Sequence, residues 1–311
     1  MGFLRFLEGI RNPVLDFFFS AITLLGDETA FMAIAIFIFW CVSKKDGYYI
    51  LSVGFIGTII NQFLKLTFKV ARPWVKDPSF TIVESAREAA TGYSFPSGHT
   101  QNSVGTFGAI SYVYKKKWVK IVCIALCVLV PLSRMYLGVH TPLDVLTSVG
   151  IAVLLIFAVR ALMNLVEKRA WGMYAFLGCM LALSLGLLLF VLLSPTPESA
   201  EALHNHESGL ENACTLLGAT LGMLAAYPIE KRYVNFEVDG KWYTQVAKVG
   251  IGLALVLGIK AGLKIVLLLF LPPLVERIIR YAVIVLFAVV VWPLSFKLIR
   301  KIEKINKNSC K

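Results

Sequence analysis

Uninterrupted apolar runs, repeated along the whole chain, constrain this sequence more than any other feature. They lie at about residues 28–43, 47–70, 98–115, 118–136, 142–166, 172–194, 209–229, 245–270 and 274–297. A helix needs about 20 residues to cross the ~30 Å hydrocarbon core of a bilayer. In that medium every backbone N–H and C=O must be paired within the segment, which leaves helices for runs of this kind. The expected fold is therefore all-α, a polytopic transmembrane helical bundle of about nine spans. Composition agrees, since 58% of the 311 residues are hydrophobic.

The opening "MGFLRFLEGIRNP" mixes apolar and charged positions and has neither an h-region nor a small-residue cleavage site. It reads as an amphipathic helix lying in the interface rather than a removable signal. Residues 14–25, "VLDFFFSAITLL", are apolar but short, and read as a half-buried surface helix. Of the six cysteines, Cys41, Cys123, Cys127, Cys179 and Cys214 sit in or beside apolar runs and Cys310 in the tail, as expected of inert thiols.

A net charge of +12 is compatible with nucleic acid, but the placement of the charges argues for a membrane surface. With Lys44 and Lys45 set on the cytoplasmic side, nine alternating crossings collect most of the 31 Lys and Arg residues on that same side. They lie in "YKKKWVK" at 114–120, at Arg160, Lys168 and Arg169, in "EKRYVNFEVDGKWYTQVAK" and in the tail "KLIRKIEKINKNSCK". No nucleic-acid partner is expected. The C-terminus is expected in the cytoplasm and the protein in the plasma (inner) membrane. Residues 71–97, 134–141, 195–208 and 271–273 then face outward, with 194–209, "SPTPESAEALHNHESG", as an exposed loop.

The chain changes character near residue 170. Residues 1–170 gather polar groups at the outer helix ends. Residues 171–311 form a four-span region ending in the basic tail, with small-residue motifs Gly218-x3-Gly222 and Gly258-x3-Gly262 of the kind that lets helices approach closely. Membrane lipids and a second copy of the chain are the partners such surfaces suit.

Three polar sets interrupt the apolar runs. Lys65 and Arg72 are seven residues apart, nearly two helical turns, so both would project from one face before Pro73 stops the helix. Taken alone, they are equally two cations reaching for the interface. Pro96-Ser97-Gly98-His99 stands just before an apolar run. The free N–H groups of a helix start, with a glycine permitting close approach, make an anion cradle or simply a cap. In Ser133-Arg134 followed by "HTPLD", Thr141 reads as an N-cap, Pro142 as the first helical position and Asp144 as a first-turn carboxylate within reach of His140. Collecting three cations, two of the chain's four histidines and a carboxylate at one depth near a membrane is costly, and points to a functional site.

The pattern Lys65-x6-Arg72-Pro73, Pro96-Ser97-Gly98-His99, Ser133-Arg134-x5-His140-x3-Asp144 resembles the three-block signature of the type-2 phosphatidic acid phosphatase superfamily, over about residues 28–166. That superfamily includes membrane lipid phosphate phosphatases and soluble vanadium haloperoxidases. All eleven defined positions match. The resemblance implies a lipid phosphate or lipid diphosphate as substrate, and His140 as the nucleophile that forms a phosphohistidine. It implies that Asp144 orients the His140 ring and that His99 protonates the leaving oxygen and then activates water. Lys65, Arg72 and Arg134, with Ser97 and the Gly98 N–H, would hold the phosphoryl oxygens, so that neither metal nor cofactor is needed. Pro73, Pro96 and Ser133 read as structural. A catalytically silent lipid-binding protein on the same fold is the alternative class.

Four further cations stand apart. Lys260 and Lys264 lie inside an apolar run, and Arg277 and Arg280 open the next. They are either snorkelling side chains or an accessory cationic patch for a head group or second phosphate. His204, His206 and Glu207 in "HNHES" read as a solvated acidic loop rather than a metal site. Glu84, Arg87 and Glu88 read as solvated helix ends rather than head-group contacts.

Overall fold

The computed structural model describes residues 1–297. The basic tail from residue 298 onward, with Cys310, lies outside the described residues. Every regular element among the described residues is helical. In order these are α1 (Gly2–Gly9), α2 (Pro13–Thr23), a 3-10 turn Leu24–Gly26, α3 (Glu28–Cys41), α4 (Lys44–Phe68), α5 (Pro73–Lys76), a second 3-10 turn Glu84–Ala86, α6 (Gly98–Val113), α7 (Lys117–Tyr136), α8 (Pro142–Val166), α9 (Gly172–Leu193), α10 (Ala200–Ile229) continued by a π-helical turn Glu230–Val234, α11 (Trp242–Leu268) and α12 (Pro273–Leu286) continued by a π-helical turn Phe287–Val291.

Among the described residues seven helices are long and apolar enough to cross a membrane, or eight if the pair Pro13–Gly26 and Glu28–Cys41, bent by 53°, counts as one span. The count differs from nine because two expected spans are short. Helix α3 has 14 residues and α6 has 16, against the ~20 that a crossing needs. The N-terminal helix is amphipathic as expected, with Leu4 and Leu7 buried and Phe3 and Phe6 exposed.

Two compact units divide the chain. The first comprises residues 1–32, 49–168 and 189–210. At its heart α6 packs against α7 and α8, and α1 and α2 pack on α7. The buried face of α6 is polar as well as apolar, with Thr100, Gln101, Ser103 and Thr106 all buried. The N-terminal segment is strapped to this core. Arg5 pairs with Asp77 at 2.7 Å, the Glu8 carboxylate accepts from the Thr81 N–H at 2.8 Å, and the Tyr136 hydroxyl donates to Asp16 at 2.7 Å.

The second unit comprises residues 33–48, 169–188 and 211 onward. Within it α10 and α12 meet closely at Gly218 and Gly222. A Cβ added at Gly218 would stand 2.3 Å from the Ile278 carbonyl oxygen, so the two backbones can approach only where a side chain is missing. The Gly218-x3-Gly222 motif thus lies in a helix joint. Gly258 and Gly262 of α11 have nothing within 4 Å of such a Cβ. The Trp40 indole donates to the Ala288 carbonyl at 2.8 Å within an aromatic cluster that includes Trp292 and Phe296.

Two local expectations need correction. Helix α4 ends at Phe68, where Lys69 turns the chain with φ of 48°, so Lys65 and Arg72 do not share a helix face. Pro73 opens α5 rather than closing α4, and Arg72 is the N-cap residue of α5. The stretch 194–209 is only partly loop, because α10 begins at Ala200 in a run of Ala, Glu and Leu with high helix propensity. His204 and His206 therefore lie on a helix, and the His206 Nε2 stands 3.2 Å from the Val191 carbonyl.

Candidate active site

Helix entry chemistry places one side of the site. Thr141 caps α8, its side chain accepting from the Asp144 N–H while the Asp144 carboxylate accepts from the Thr141 N–H at 2.8 Å. This reciprocal box fixes Asp144 before any partner arrives. The same Oδ2 atom also accepts from the Ser94 hydroxyl at 2.7 Å and faces the His140 Nδ1 at 3.5 Å. The last distance is longer than a hydrogen bond, so the pair is a close electrostatic contact and the His140 Nδ1 is buried without a hydrogen-bond partner among the described residues.

The turn between α7 and α8 brings His140 to Arg134. The Arg134 carbonyl accepts from the N–H groups of both Val139 and His140, at 3.1 and 3.3 Å. Gly138 adopts φ of 84° in this turn, a conformation L side chains rarely adopt. The five-residue spacing in Arg134-x5-His140 is the length of that closed turn.

Arg72 joins three segments. Its Nε and Nη2 donate to the carbonyls of Gly92 and Thr91 at 3.1 and 2.6 Å, and its Nη1 donates to the Val139 carbonyl at 3.0 Å. The same Nη1 lies 3.0 Å from His140 Nε2. A guanidinium has no acceptor, so Nε2 must be the acceptor and the His140 proton resides on Nδ1, toward Asp144. Burial pushes the His140 imidazole well below the ordinary histidine range, and the nearby Arg72 charge adds to this, while Asp144 opposes it. His140 is thus held neutral, with a lone pair on Nε2.

Arg134 is arranged differently. It is fully buried, and its Nη1 donates to the Thr23 hydroxyl at 2.9 Å. Its Nε and Nη2 are buried and have no hydrogen-bond partner among the described residues. Those two atoms form the side-on fork of a guanidinium, the edge that grips carboxylate or phosphate with two parallel bonds. Leaving buried donors unpaired costs about 1–3 kcal/mol each. An oxyanion seated there would recover that cost.

Lys65 completes the ring of cations, buried and donating to the Tyr93 carbonyl at 2.7 Å. Ser97 is the N-cap residue of α6, its side chain accepting from Thr100 N. Its N–H donates to the Asp144 carbonyl at 3.2 Å, and its own carbonyl accepts from Ser148. Gly98 opens the helix with nothing within 4 Å of its missing Cβ. His99 follows, partly exposed, within electrostatic reach of Arg134, His140, Lys65 and Arg72. The seven signature side chains Lys65, Arg72, Ser97, His99, Arg134, His140 and Asp144 and the Gly98 backbone thus belong to the first unit. Ser94, Ser148 and Thr23 join them through hydrogen bonds that nothing in the sequence pattern signalled, each being a small neutral hydroxyl without charge contrast to its surroundings.

The remaining candidates have settings of their own. Lys260 and Lys264 are exposed on α11 in the second unit. Arg277 pairs with Glu211 at 2.8 Å, and Arg280 pairs with Glu276 in a buried contact, so neither is a spare cation. Glu84 and Arg87 pair with each other, and the Arg87 guanidinium stands over the Trp74 ring at 5.6 Å. Among the described residues no group of three His, Cys, Asp or Glu is placed to hold a metal.

These features define a membrane-spanning helical protein with a buried histidine–carboxylate pair beside an open arginine fork. The chain belongs to the PAP2 superfamily. The family model matches residues 46–168, and residues 214–304 match a second model, the transmembrane extension of PAP2 superfamily phosphatases. Phosphatidylglycerophosphatase B of Bacillus subtilis is 32% identical over 164 residues, covering 49% of this chain and 76% of that protein. The undecaprenyl-diphosphatase BcrC of the same organism is 29% identical over 149 residues, covering 47% of this chain and 74% of the relative. A dihydrosphingosine 1-phosphate phosphatase of Schizosaccharomyces pombe is 24% identical over 288 residues, covering 86% of this chain and 66% of the relative. No solved structure matches.

Proposed function

We propose that the protein is an integral-membrane lipid phosphatase that hydrolyses the phosphomonoester or pyrophosphate of a lipid, without a metal, through a phosphohistidine. The observation that carries this reading is the setting of His140: buried, with its Nε2 3.0 Å from Arg72 Nη1 and its Nδ1 3.5 Å from the Asp144 carboxylate. An imidazole so held is a nucleophile with its orienting carboxylate in place.

In the first step Arg72 Nη1 exchanges its hydrogen bond with the His140 Nε2 for one to a phosphoryl oxygen, and the freed Nε2 lone pair forms a bond to phosphorus as the bond to the lipid oxygen breaks. His99 gives its proton to that oxygen, and the lipid alcohol, or the lipid monophosphate from a diphosphate, departs. Asp144 stabilises the positive charge that His140 acquires. In the second step His99 takes a proton from water as the water oxygen attacks phosphorus, releasing inorganic phosphate and returning His140 to its neutral form. Throughout, the fork of Arg134, the Nη1 of Arg72 and the Nζ of Lys65, with Ser97 and the Gly98 N–H, face the equatorial oxygens and take up their charge.

Residues 1–170 carry this chemistry in the proposal, and residues 171–311 add the C-terminal membrane region. The basic segments favour an extracytoplasmic site, a cytoplasmic C-terminus and the plasma membrane. The names of the relatives span phospholipid, isoprenoid and sphingoid-base phosphates. That range fits a site that reads the phosphoryl group rather than the chain attached to it.

The test is phosphate release by purified protein in detergent, with EDTA, from a panel holding one member of each of these classes. Release that survives chelation, together with an acid-labile phosphoenzyme absent in His140→Ala, is the expected result. No release from any member would leave a lipid-binding protein on the same fold. Loss of release on chelation would remove the metal-free step.

A further inference from the structure

We propose that Thr23, the last residue of α2 in the N-terminal segment that precedes the matched family region, is a positioning residue for phosphoryl binding: it pins Arg134 so that the guanidinium fork faces the phosphate. The proposal rests on the functional reading above and adds a component to that site.

Three observations carry it. Thr23 is buried, and its hydroxyl accepts from Arg134 Nη1 at 2.9 Å, so it occupies the one guanidinium nitrogen that is not part of the side-on fork. The fork atoms Nε and Nη2 are the pair left buried and unpartnered. A planar guanidinium tethered at Nη1 has lost its freedom to rotate, so the fork is aimed before the ligand arrives. This segment is itself fixed at two points beside the site. Two residues beyond Arg134, the Tyr136 hydroxyl donates to Asp16. At the other end Gly26 abuts His99 so closely that a Cβ there would lie 2.8 Å from the His99 carbonyl oxygen.

Thr23 does not touch the reacting atoms. Its effect is expected on the binding of the tetrahedral or trigonal oxyanion rather than on proton transfer. Thr23→Val keeps the shape and removes the acceptor. Thr23→Ser keeps the acceptor and removes a methyl group.

The experiment measures kcat/KM for a lipid phosphate, binding of orthovanadate by calorimetry and thermal unfolding in detergent, for wild type, both variants, Arg134→Ala and the double variant Thr23→Val/Arg134→Ala. Loss of one hydrogen bond to a charged group should weaken vanadate binding and lower kcat/KM by about tenfold or more in Thr23→Val, with Thr23→Ser near wild type. In the Arg134→Ala background Thr23→Val should change neither quantity further. Equal losses in both Thr23 variants, a full further loss in the double variant, or a loss of rate without loss of vanadate affinity would overturn the assignment. Vanadate binding is read independently of turnover. A wild type that binds vanadate in a Thr23-dependent way but releases no phosphate would reject the phosphatase reading and keep the positioning role.

Discussion

Arg72 Nη1 lies 3.0 Å from His140 Nε2, while the other two guanidinium nitrogens of Arg72 are held by the carbonyls of Thr91 and Gly92. A lysine can supply one point charge but cannot span the Val139, Thr91 and Gly92 carbonyls and the imidazole together. Arg72→Lys should therefore lower kcat/KM by about 10²–10³, the range seen when one preorganised donor is lost at a developing oxyanion. Steady-state phosphate release checks this. A lysine variant that retained most of its turnover would show that charge alone suffices.

The depressed basicity of His140 has a direct pH consequence. The group is reactive when deprotonated, so activity is present above its pKa and is lost as pH falls through it. Because burial and Arg72 push that pKa down, the acidic limb of kcat/KM belongs below pH ~6.5, the ordinary histidine value. Asp144 opposes the depression, so Asp144→Asn should move the limb further toward acid while lowering the rate by about 10⁴, as seen when an orienting carboxylate is neutralised. A limb above the ordinary value would contradict the placement.

Ser94 donates to Asp144 Oδ2 at 2.7 Å from full burial. Ser94→Ala leaves the Thr141 N–H on that oxygen but loosens the carboxylate that faces His140. The expected result is a fall in kcat of about tenfold with KM little changed. A change confined to KM would place Ser94 with the substrate instead.

In the second unit, Gly218→Val should lower stability by about 1–3 kcal/mol, because its Cβ would meet the Ile278 carbonyl at 2.3 Å. Gly258→Val, at a position open for 4 Å, should leave the unfolding temperature unchanged. Thermal unfolding in detergent separates the two, and equal shifts would show that the α10–α12 joint yields.

Charge contrast explains which parts of the site are legible in the chain. Lys65, Arg72, Arg134, His99, His140 and Asp144 stand out because ionisable groups are rare among apolar runs, and Thr141-Pro142-x-Asp144 carries a complete helix-entry signature. Thr23, Ser94 and Ser148 do not stand out. A single hydroxyl is common in membrane helices, and its role depends on a partner dozens of residues away. The helical register drawn through Lys65 and Arg72 failed at Lys69, a residue type that gives no warning of a left-handed conformation. The span count differs from the expected nine at α3 and α6 for a different reason. Apolarity marks burial, and α6 is buried against α7 and α8, where protein can satisfy a short helix as well as lipid can.

The clamp between Arg72 and the carbonyls of Thr91 and Gly92 also bears on how such a site can diversify. Carbonyl oxygens belong to the backbone and are the same whatever side chain a residue bears. The segment over the site is thus anchored by a contact blind to its sequence, while residues such as Arg87 over Trp74 remain on view. Substitutions in this segment can retune what lies beyond the phosphoryl group while the arginine beside the nucleophile keeps its place.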